Sequence, residues 1–143
     1  KYDPRIRPWY KAAITAEKPT WSKIYAWVSK DGTGSTLGLG FVQPIRDNAQ
    51  KILGVIDAEL SLDDLSLFLD KLRVGKTGLA FVADRQGRLI ASSTSSPVTD
   101  LKNNLLSVSK SSNRFIAASG MYLNNEFTSL EDGVRETVKE ILP

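Results

Sequence analysis

A chain of 143 residues is long enough for one ordinary domain or for parts of two small ones. It is 41% hydrophobic and 24% charged, which is typical of a folded protein, and its net charge of +3 comes from basic residues scattered among acids, so no nucleic-acid-binding surface is indicated. It has no histidine and no cysteine, which excludes a Ser-His-Asp triad, a Cys-His protease, a zinc protease and a disulfide framework. No apolar run approaches the roughly 20 residues that a membrane-spanning helix needs.

The first 60 residues predict one short helix followed by a three-stranded antiparallel meander. Pro8 suits the first turn of a helix that runs from Trp9 to Ala16, and Pro19 ends it. The β-branched and aromatic segments that follow predict three strands, which are Trp21–Ser29, Thr36–Ile45 and Ile52–Leu60. The glycine-rich segment between the first two strands matches neither a dinucleotide-binding nor a P-loop spacing, so it gives little support to nucleotide binding.

The next segment predicts a second helix and then a hairpin. Ser61 and Asp64 have the spacing of a capping box, and a stripe of leucines at helical spacing follows, namely Leu62, Leu65, Leu69 and Leu72. The glycines at 75 and 78 end this helix, and residues 79–93 read as a strand, a short turn and a strand. After Ser92 the signal weakens.

The last part of the chain offers one further signal. Ser129 and Asp132 form a second capping-box pattern, and apolar residues at helical spacing follow it to the end of the chain. We therefore expect a C-terminal helix there.

The opening stretch, "KYDPRIRPWY", concentrates two arginines, two prolines and three large aromatic residues within ten positions. Arginine grips a carboxylate in a fork, and aromatic rings supply large apolar walls at modest entropic cost, so the stretch can form an anion-binding clamp. A second interpretation makes Trp9 and Tyr10 core aromatics on a helix face and Arg7 a surface cation. On the residues alone, the two interpretations remain open.

The segment "DPRIRPWYKAA" resembles the D-P-R-x-R-P-W-Y-x-x-A motif of the double Cache sensor domains, the extracytoplasmic ligand-binding parts of bacterial chemoreceptors, sensor kinases and membrane cyclases. The order of the following segments, "WSKIY", "GVIDAEL" and "GLAFVADRQGRLIAS", agrees with this family, so the resemblance covers residues 2–93. It implies an α+β fold with a PAS-like antiparallel sheet and flanking helices. Residues 1–60 would be the C-terminal part of the membrane-distal lobe, 61–75 a connecting helix, and 76–143 part of the membrane-proximal lobe of a longer protein.

Within that family, the chain is similar to the subgroup that binds α-amino acids, and this similarity implies a ligand-binding set of Tyr2, Arg7, Trp9, Tyr10, Tyr25 and Asp57. Arg7 would hold the ligand carboxylate with help from the Tyr10 hydroxyl, and Asp57 would hold the ammonium with a nearby tyrosine. Such a pocket must meet both charges, because an unpaired buried charge costs several kcal/mol. Trp27 stands where some members carry a further acid.

The resemblance implies a sensor domain that is not itself an enzyme, without catalytic residues, metal or cofactor. The complete protein would be a transmembrane receptor with a kinase, cyclase or other output, with the sensor on the periplasmic side and a homodimeric assembly compatible with its family. Its partner would be a small amino-acid-like ligand and not a nucleic acid. Two alternatives stay open, namely a Cache domain for another small carboxylate or amine, and a structural module that binds no ligand.

Overall fold

The computed structural model describes residues 3–16, 18–28 and 35–126. The chain separates into two compact units, Lys1–Asp64 and Leu65–Pro143, and the division falls inside a helix. Both units combine helices with antiparallel strands, so the predicted α+β class is confirmed. In the part of the chain that the structure describes, no helix is both long enough and apolar enough to cross a membrane.

The first unit is a four-stranded antiparallel sheet with one helix packed against it. Its elements are helix α1 (Pro8–Thr15) and strands β1 (Thr20–Trp21), β2 (Tyr25–Val28), β3 (Ser35–Arg46) and β4 (Ile52–Ser61). Strand β3 is central, with β4 along one edge and β1 and β2 in succession along the other. Helix α1 contacts β3 and β4, and it buries Ala13 completely, as the sheet buries Val42.

Helix α1 begins where the sequence predicts. Pro8 occupies the first helical position, where a missing N–H costs nothing, and the Ala16 N–H closes the last turn on the Ala12 carbonyl. A 3-10 turn at Pro4–Ile6 precedes the helix, capped by the Asp3 carboxylate, which accepts from the Arg5 N–H at 3.0 Å. Together these caps fix the direction in which the chain enters the helix.

The predicted single strand Trp21–Ser29 is wrong, because the structure breaks it into β1 and β2. Residues 22–24 stand opposite only residues 39–40 of β3, so the first strand carries one extra residue, which is a β-bulge. Ser22 makes this possible. Its N–H donates to the Gly40 carbonyl at 2.8 Å, and its hydroxyl oxygen accepts from the Gly40 N–H at 2.9 Å in place of a strand carbonyl.

The bulge decides which face of the sheet the following side chains occupy. Side chains alternate along a regular strand, so Trp21 and Tyr25 would share a face if the pairing were unbroken. Because of the extra residue, Trp21 pairs with Phe41 on one face, whereas Tyr25 pairs with Gly38 on the face covered by α1. Trp27 follows Tyr25 onto that same face.

The other two strands of the meander form as predicted, over Ser35–Arg46 and Ile52–Ser61. On the α1 side, β3 buries alternate residues, which are Gly38, Gly40, Val42 and Pro44. On the opposite side the sheet exposes large apolar residues, which are Trp21, Phe41, Ile45 and Ile56.

Helix α2 (Leu62–Lys71) crosses the division between the two units, and its capping box is confirmed. The Asp64 N–H donates to the Ser61 hydroxyl oxygen at 2.9 Å, and that hydroxyl donates to the Asp64 carboxylate at 2.6 Å. The leucine stripe is buried at Leu62 and Leu69, while Leu72, one residue past the helix, is 43% exposed.

The second unit contains the predicted hairpin, formed by β5 (Phe81–Ala83) and β6 (Leu89–Ser92). A third helix, α3 (Arg114–Glu126), was not predicted from the sequence. The buried core of this unit joins the hairpin to the helix through three side chains, which are Leu89, Val108 and Ile116. The expected helix after Ser129 lies outside the described residues.

One tight turn occurs three times in the part of the chain that the structure describes, at residues 47–51, 84–88 and 100–104. Each turn begins with an aspartate whose carboxylate accepts from the backbone N–H groups two and four residues later. The fourth residue of each turn has a positive φ, and it is Gln50, Gly87 or Asn103. This is the three-residue hairpin loop with a left-handed residue before the returning strand, and only one of the three copies uses glycine there.

Candidate functional site

Four polar or aromatic side chains meet on the α1 side of the sheet. Tyr25 and Trp27 reach it from β2, and Asp57 and Glu59 reach it from β4, because their partners on β3 all belong to the same alternating set. An antiparallel ladder therefore brings residues of β2 and β4, which are 30 or more positions apart in sequence, onto one surface.

Two glycines of β3 leave the space that these side chains fill. A Cβ atom added to Gly40 would collide with the Asp57 carboxylate, whose Cγ lies 2.9 Å from that position. A Cβ added to Gly38 would collide with the Trp27 ring, whose Cζ3 lies 2.6 Å away. Glycine inside a strand often marks a close approach of another group, and the structure identifies the two side chains involved here.

Asp57 is an uncompensated acid. Among the described residues its Oδ1 atom is buried and has no hydrogen-bond partner. Burial raises the pKa of the Asp57 carboxyl to about 6, and the neighbouring Glu59 charge contributes to that rise. A buried acceptor that the protein leaves unpaired is costly by itself, and it becomes favourable when a donor is supplied from outside.

Tyr25 interacts with both acids and with Arg7. Its hydroxyl donates to Glu59 Oε1 at 2.7 Å, and its ring is edge-on to Trp27 with centroids 5.7 Å apart. Burial, the bond to Glu59 and the charges of Glu59 and Asp57 all raise the pKa of the Tyr25 hydroxyl, while Arg7 opposes them. The phenol therefore stays protonated, with its proton directed at Glu59 and its oxygen lone pairs available to a ligand donor.

Arg7 approaches Tyr25 from the start of α1. Its Cζ lies 5.4 Å from the centroid of the Tyr25 ring, within the range of a cation–π interaction, and its Nη2 donates to the Ala26 carbonyl at 3.0 Å. The neighbouring Arg5 is used differently, because it is paired with Asp3 at the surface. A guanidinium has five N–H donors, so the bond to Ala26 leaves Arg7 able to donate to a carboxylate.

The other three residues of the expected set are Trp9, Tyr10 and Tyr2. Trp9 and Tyr10 are both partly buried at the start of α1 and pack edge-on, with ring centroids 5.6 Å apart. Tyr2 lies outside the described residues. The structure thus brings Arg7, Tyr25 and Asp57 into one electrostatic neighbourhood, and the ligand-binding roles of all six residues stay predictions.

Glu59 was not part of the set expected from the sequence. It lies two residues after Asp57, and alternation along a strand places residues i and i+2 on the same face, so the signal was present. The bond to Tyr25 was not foreseeable, because it joins residues 34 positions apart and depends on the bulge in the first strand.

A family model, described as the first PDC sensor domain of methyl-accepting chemotaxis protein-like receptors, matches residues 1–67. This region contains α1, the whole four-stranded sheet and the site described above. The expected resemblance to the sensor domains of bacterial chemoreceptors is confirmed over these residues.

Two curated relatives and one solved domain extend the comparison. The methyl-accepting chemotaxis protein McpC of Bacillus subtilis is 36% identical over 91 residues, covering 63% of this chain and 13% of that protein. Adenylate cyclase 1 of Rhizobium meliloti is 30% identical over 142 residues, covering 99% of this chain and 18% of that protein. The chain therefore spans less than a fifth of the length of these relatives.

The solved domain is the ligand-binding domain of the Pseudomonas aeruginosa PAO1 amino acid chemoreceptor PctB. In its complex with L-Arg it is 30% identical, with a TM-score of 0.53, covering 76% of this chain and 42% of that one. In its complex with L-Gln the TM-score is 0.52. Residues 1–67 thus match the first PDC sensor domain of methyl-accepting chemotaxis protein-like receptors, and the chain is similar in sequence and fold to the ligand-binding domain of such a receptor.

Proposed function

We propose that the chain is the extracytoplasmic sensor part of a transmembrane signalling receptor and that its ligand is an α-amino acid. The unpaired Oδ1 of Asp57, in a carboxylate that acts electrostatically on Tyr25, together with the contact of Arg7 with the Tyr25 ring, is the observation that carries this proposal. An α-amino acid presents an ammonium and a carboxylate on one carbon, and this arrangement offers one charge of each sign.

The ammonium end is the more constrained of the two. Asp57 supplies a buried carboxylate oxygen, and the Tyr25 oxygen supplies a second acceptor because its own proton is engaged by Glu59. Charge-assisted hydrogen bonds of this kind are roughly twice as strong as neutral ones. Binding an ammonium would also remove the cost of the unpaired Oδ1.

The carboxylate end is assigned to Arg7. A guanidinium that begins a helix and rests on an aromatic ring is held in a defined direction, and its fork geometry suits a carboxylate. Tyr10, three residues further along the chain, is the proposed second donor, and Trp9 and Tyr2 complete the proposed set.

The relatives support the proposal without deciding it. McpC is a chemotaxis protein and PctB is an amino acid chemoreceptor, and the PctB domain has been solved with two different amino acids. We propose the same class of ligand here, with residues 1–60 as the membrane-distal lobe, 61–75 as its connecting helix and 76–143 as part of the membrane-proximal lobe. We propose no catalytic role for the sensor itself.

Isothermal titration calorimetry of the purified chain with L-amino acids tests this function. The same titrations are run with the amines that lack the carboxyl group and with the carboxylic acids that lack the amino group. We expect tight binding of an amino acid and much weaker binding of both truncated analogues. A chain that binds no amino acid at millimolar concentration would refute the proposal.

Two substitutions assign the ends of the ligand. Arg7→Ala should weaken amino-acid binding by at least about 2 kcal/mol, because it leaves a ligand carboxylate without its partner. Arg5→Ala is the matched control, since Arg5 is paired with Asp3 at the surface and should leave the affinity unchanged. Equal affinities for the Arg7 and Arg5 variants would contradict the role of Arg7.

One observation favours a simple amine as a second candidate ligand. Arg7 already donates to the Ala26 carbonyl and contacts the Tyr25 ring, so it can be a structural residue that holds α1 against β2. In that case the amine analogue would bind as tightly as the amino acid, and Arg7→Ala would weaken both ligands equally.

A further inference from the structure

We propose that Glu59 makes the site selective for amino acids that carry a second positive charge, such as L-arginine or L-lysine. The inference rests on the proposed amino-acid function and adds to it a class of side chain and the residue that recognises it. PctB has been solved with both a cationic and a neutral amino acid, so the class of receptor alone does not fix the charge of the ligand side chain.

The balance of charge in the site is the first argument. Asp57 and Glu59 contribute two carboxylates, whereas the cation that contacts Tyr25 is Arg7. The ammonium of a neutral amino acid would pair with Asp57 and its carboxylate would pair with Arg7. Among these described groups, the Glu59 charge would then have no cationic partner on the bound molecule. A ligand with a second cation satisfies all three groups.

The spacing of the two acids is the second argument. Asp57 and Glu59 are alternate residues on one face of β4, so their Cα atoms are about 7 Å apart. That separation is comparable with the distance between the α-ammonium and the side-chain cation of an extended basic amino acid. The Tyr25 ring, which both carboxylates influence, offers an aromatic surface along which the methylene groups of the ligand can pack.

The hydrogen bond from Tyr25 does not prevent Glu59 from binding a ligand. The Tyr25 hydroxyl occupies one position on Oε1, at 2.7 Å, whereas a carboxylate has about four acceptor positions on its two oxygens. Glu59 is exposed as a residue, in contrast to the buried Oδ1 of Asp57. It is therefore placed to meet the outer end of a ligand whose α-carbon lies deeper in the site.

The repulsion between the acids is the third argument. Burial is the larger cause of the raised pKa of Asp57, and the nearby Glu59 charge raises it further, so the two carboxylates are close enough to interact. A ligand with one ammonium group offsets only the negative charge of Asp57. A ligand with two cationic groups places a positive charge near each acid and so offsets the repulsion between the two carboxylates.

The test compares ligands of matched shape by calorimetry, using L-arginine against L-citrulline and L-lysine against L-norleucine. Each cationic ligand should bind the wild-type chain at least about tenfold more tightly than its neutral partner, as expected for a charge-assisted hydrogen bond. In Glu59→Gln the ratio should fall to near one while the affinity for L-citrulline is retained. The glutamine oxygen can still accept from Tyr25, so the substitution changes the charge and keeps that bond.

The controls separate this inference from the function on which it rests. Asp70→Asn removes an exposed negative charge on α2, and it should keep the full preference for L-arginine. If L-citrulline and L-arginine bind the wild-type chain equally, or if the preference survives in Glu59→Gln, the role of Glu59 is refuted and the amino-acid function stands. Loss of L-citrulline together with L-arginine in Glu59→Gln also refutes it, because Glu59 would then act on the whole site through Tyr25. If no α-amino acid binds the wild-type chain, both proposals fall.

Discussion

Asp57→Asn should stabilise the ligand-free protein at neutral pH while it weakens ligand binding. The carboxyl group of Asp57 has a pKa of about 6 in the folded chain, against an ordinary value of 3.8. The folded state therefore holds a proton that the unfolded state has lost between these two values, and the free energy of unfolding falls as the pH rises through this window. Above pH 6 the protein carries an ionised, partly buried acid that asparagine would replace with a neutral group of the same shape.

The size of the effect follows from the pKa shift. A shift of about 2 units corresponds to about 3 kcal/mol at roughly 1.4 kcal/mol per unit. Asp57 is only partly buried, and solvent near its outer oxygen reduces this figure, so we expect a gain of about 1–2 kcal/mol at pH 7.5. At pH 4 the wild-type carboxyl is already protonated in the folded state, and the gain should nearly disappear.

Tryptophan fluorescence during urea unfolding measures this gain in the right part of the molecule. All three tryptophans of the chain, Trp9, Trp21 and Trp27, belong to the unit that contains Asp57. With an amino acid at 100 times its Kd, the wild-type protein should gain about 2.7 kcal/mol and become more stable than the variant. The order of stability of the two proteins should thus reverse when ligand is added.

Two results would refute this reasoning. A variant that is no more stable than the wild type at pH 7.5 would mean that the Asp57 charge is compensated in solution. A gain of the same size at pH 4 and pH 7.5 would mean that the effect comes from packing and not from ionisation.

Three further predictions concern ligand affinity and stability. Amino-acid affinity should fall about tenfold between pH 7.5 and pH 5, because the ligand ammonium binds the ionised form of Asp57. An affinity that calorimetry finds constant over this range would contradict that role of Asp57. Gly40→Ala should weaken amino-acid binding, because the added Cβ would displace the Asp57 carboxylate. The control Gly54→Ala should bind normally, since its added Cβ meets only the Ile45 Cδ1 at an ordinary 3.9 Å. Equal affinities of the two variants would contradict the view that Gly40 leaves the space that Asp57 needs. Gln50→Gly should raise the free energy of unfolding by about 0.5–1 kcal/mol in urea titrations, because Gln50 has a φ of 64°, a conformation that costs a non-glycine residue about 1 kcal/mol. A loss of stability would instead show that the Gln50 side chain contributes more than its backbone conformation costs.

Much of the first unit was predictable because its signals are local. Pro8 fixes the start of α1, and the apolar runs at Thr36–Ile45 and Ile52–Leu60 are long enough to predict strands by composition alone. The capping box at Ser61 was equally clear, since both of its hydrogen bonds lie within four residues.

The failures arise where a distant contact decides the local structure. Trp21–Ser29 has the composition of one strand, but Ser22 exchanges hydrogen bonds with Gly40 and breaks it. Helix α3 is not evident from the sequence because residues 107–113, which precede it, are polar and serine-rich, and because the helix itself contains Gly120. The structure explains that glycine, since a Cβ there would collide with the backbone at Val108 and Ser109. The start of α3 is indicated in the sequence by Asn113, whose side chain caps the helix by accepting from the Phe115 N–H.

The candidate site was predicted as a set of residues but not as an arrangement. The resemblance supplied Arg7, Tyr25 and Asp57, and the structure places all three around one ring. Glu59 and the role of Gly40 emerged only from the pairing of β3 with its neighbours, because side-chain proximity across a sheet depends on register and not on sequence distance.

The extra residue in the bulge at residues 22–24 determines which face of the sheet the following side chains occupy. Deleting one residue there would leave every proposed ligand-binding residue in the chain, yet it would rotate Tyr25 and Trp27 to the opposite face and remove the partner of Glu59. A comparison of sequences position by position would score such a protein as intact. Among related sensors, the number of residues between the tryptophan and the tyrosine of this segment therefore carries as much information about ligand binding as the identities of the residues themselves.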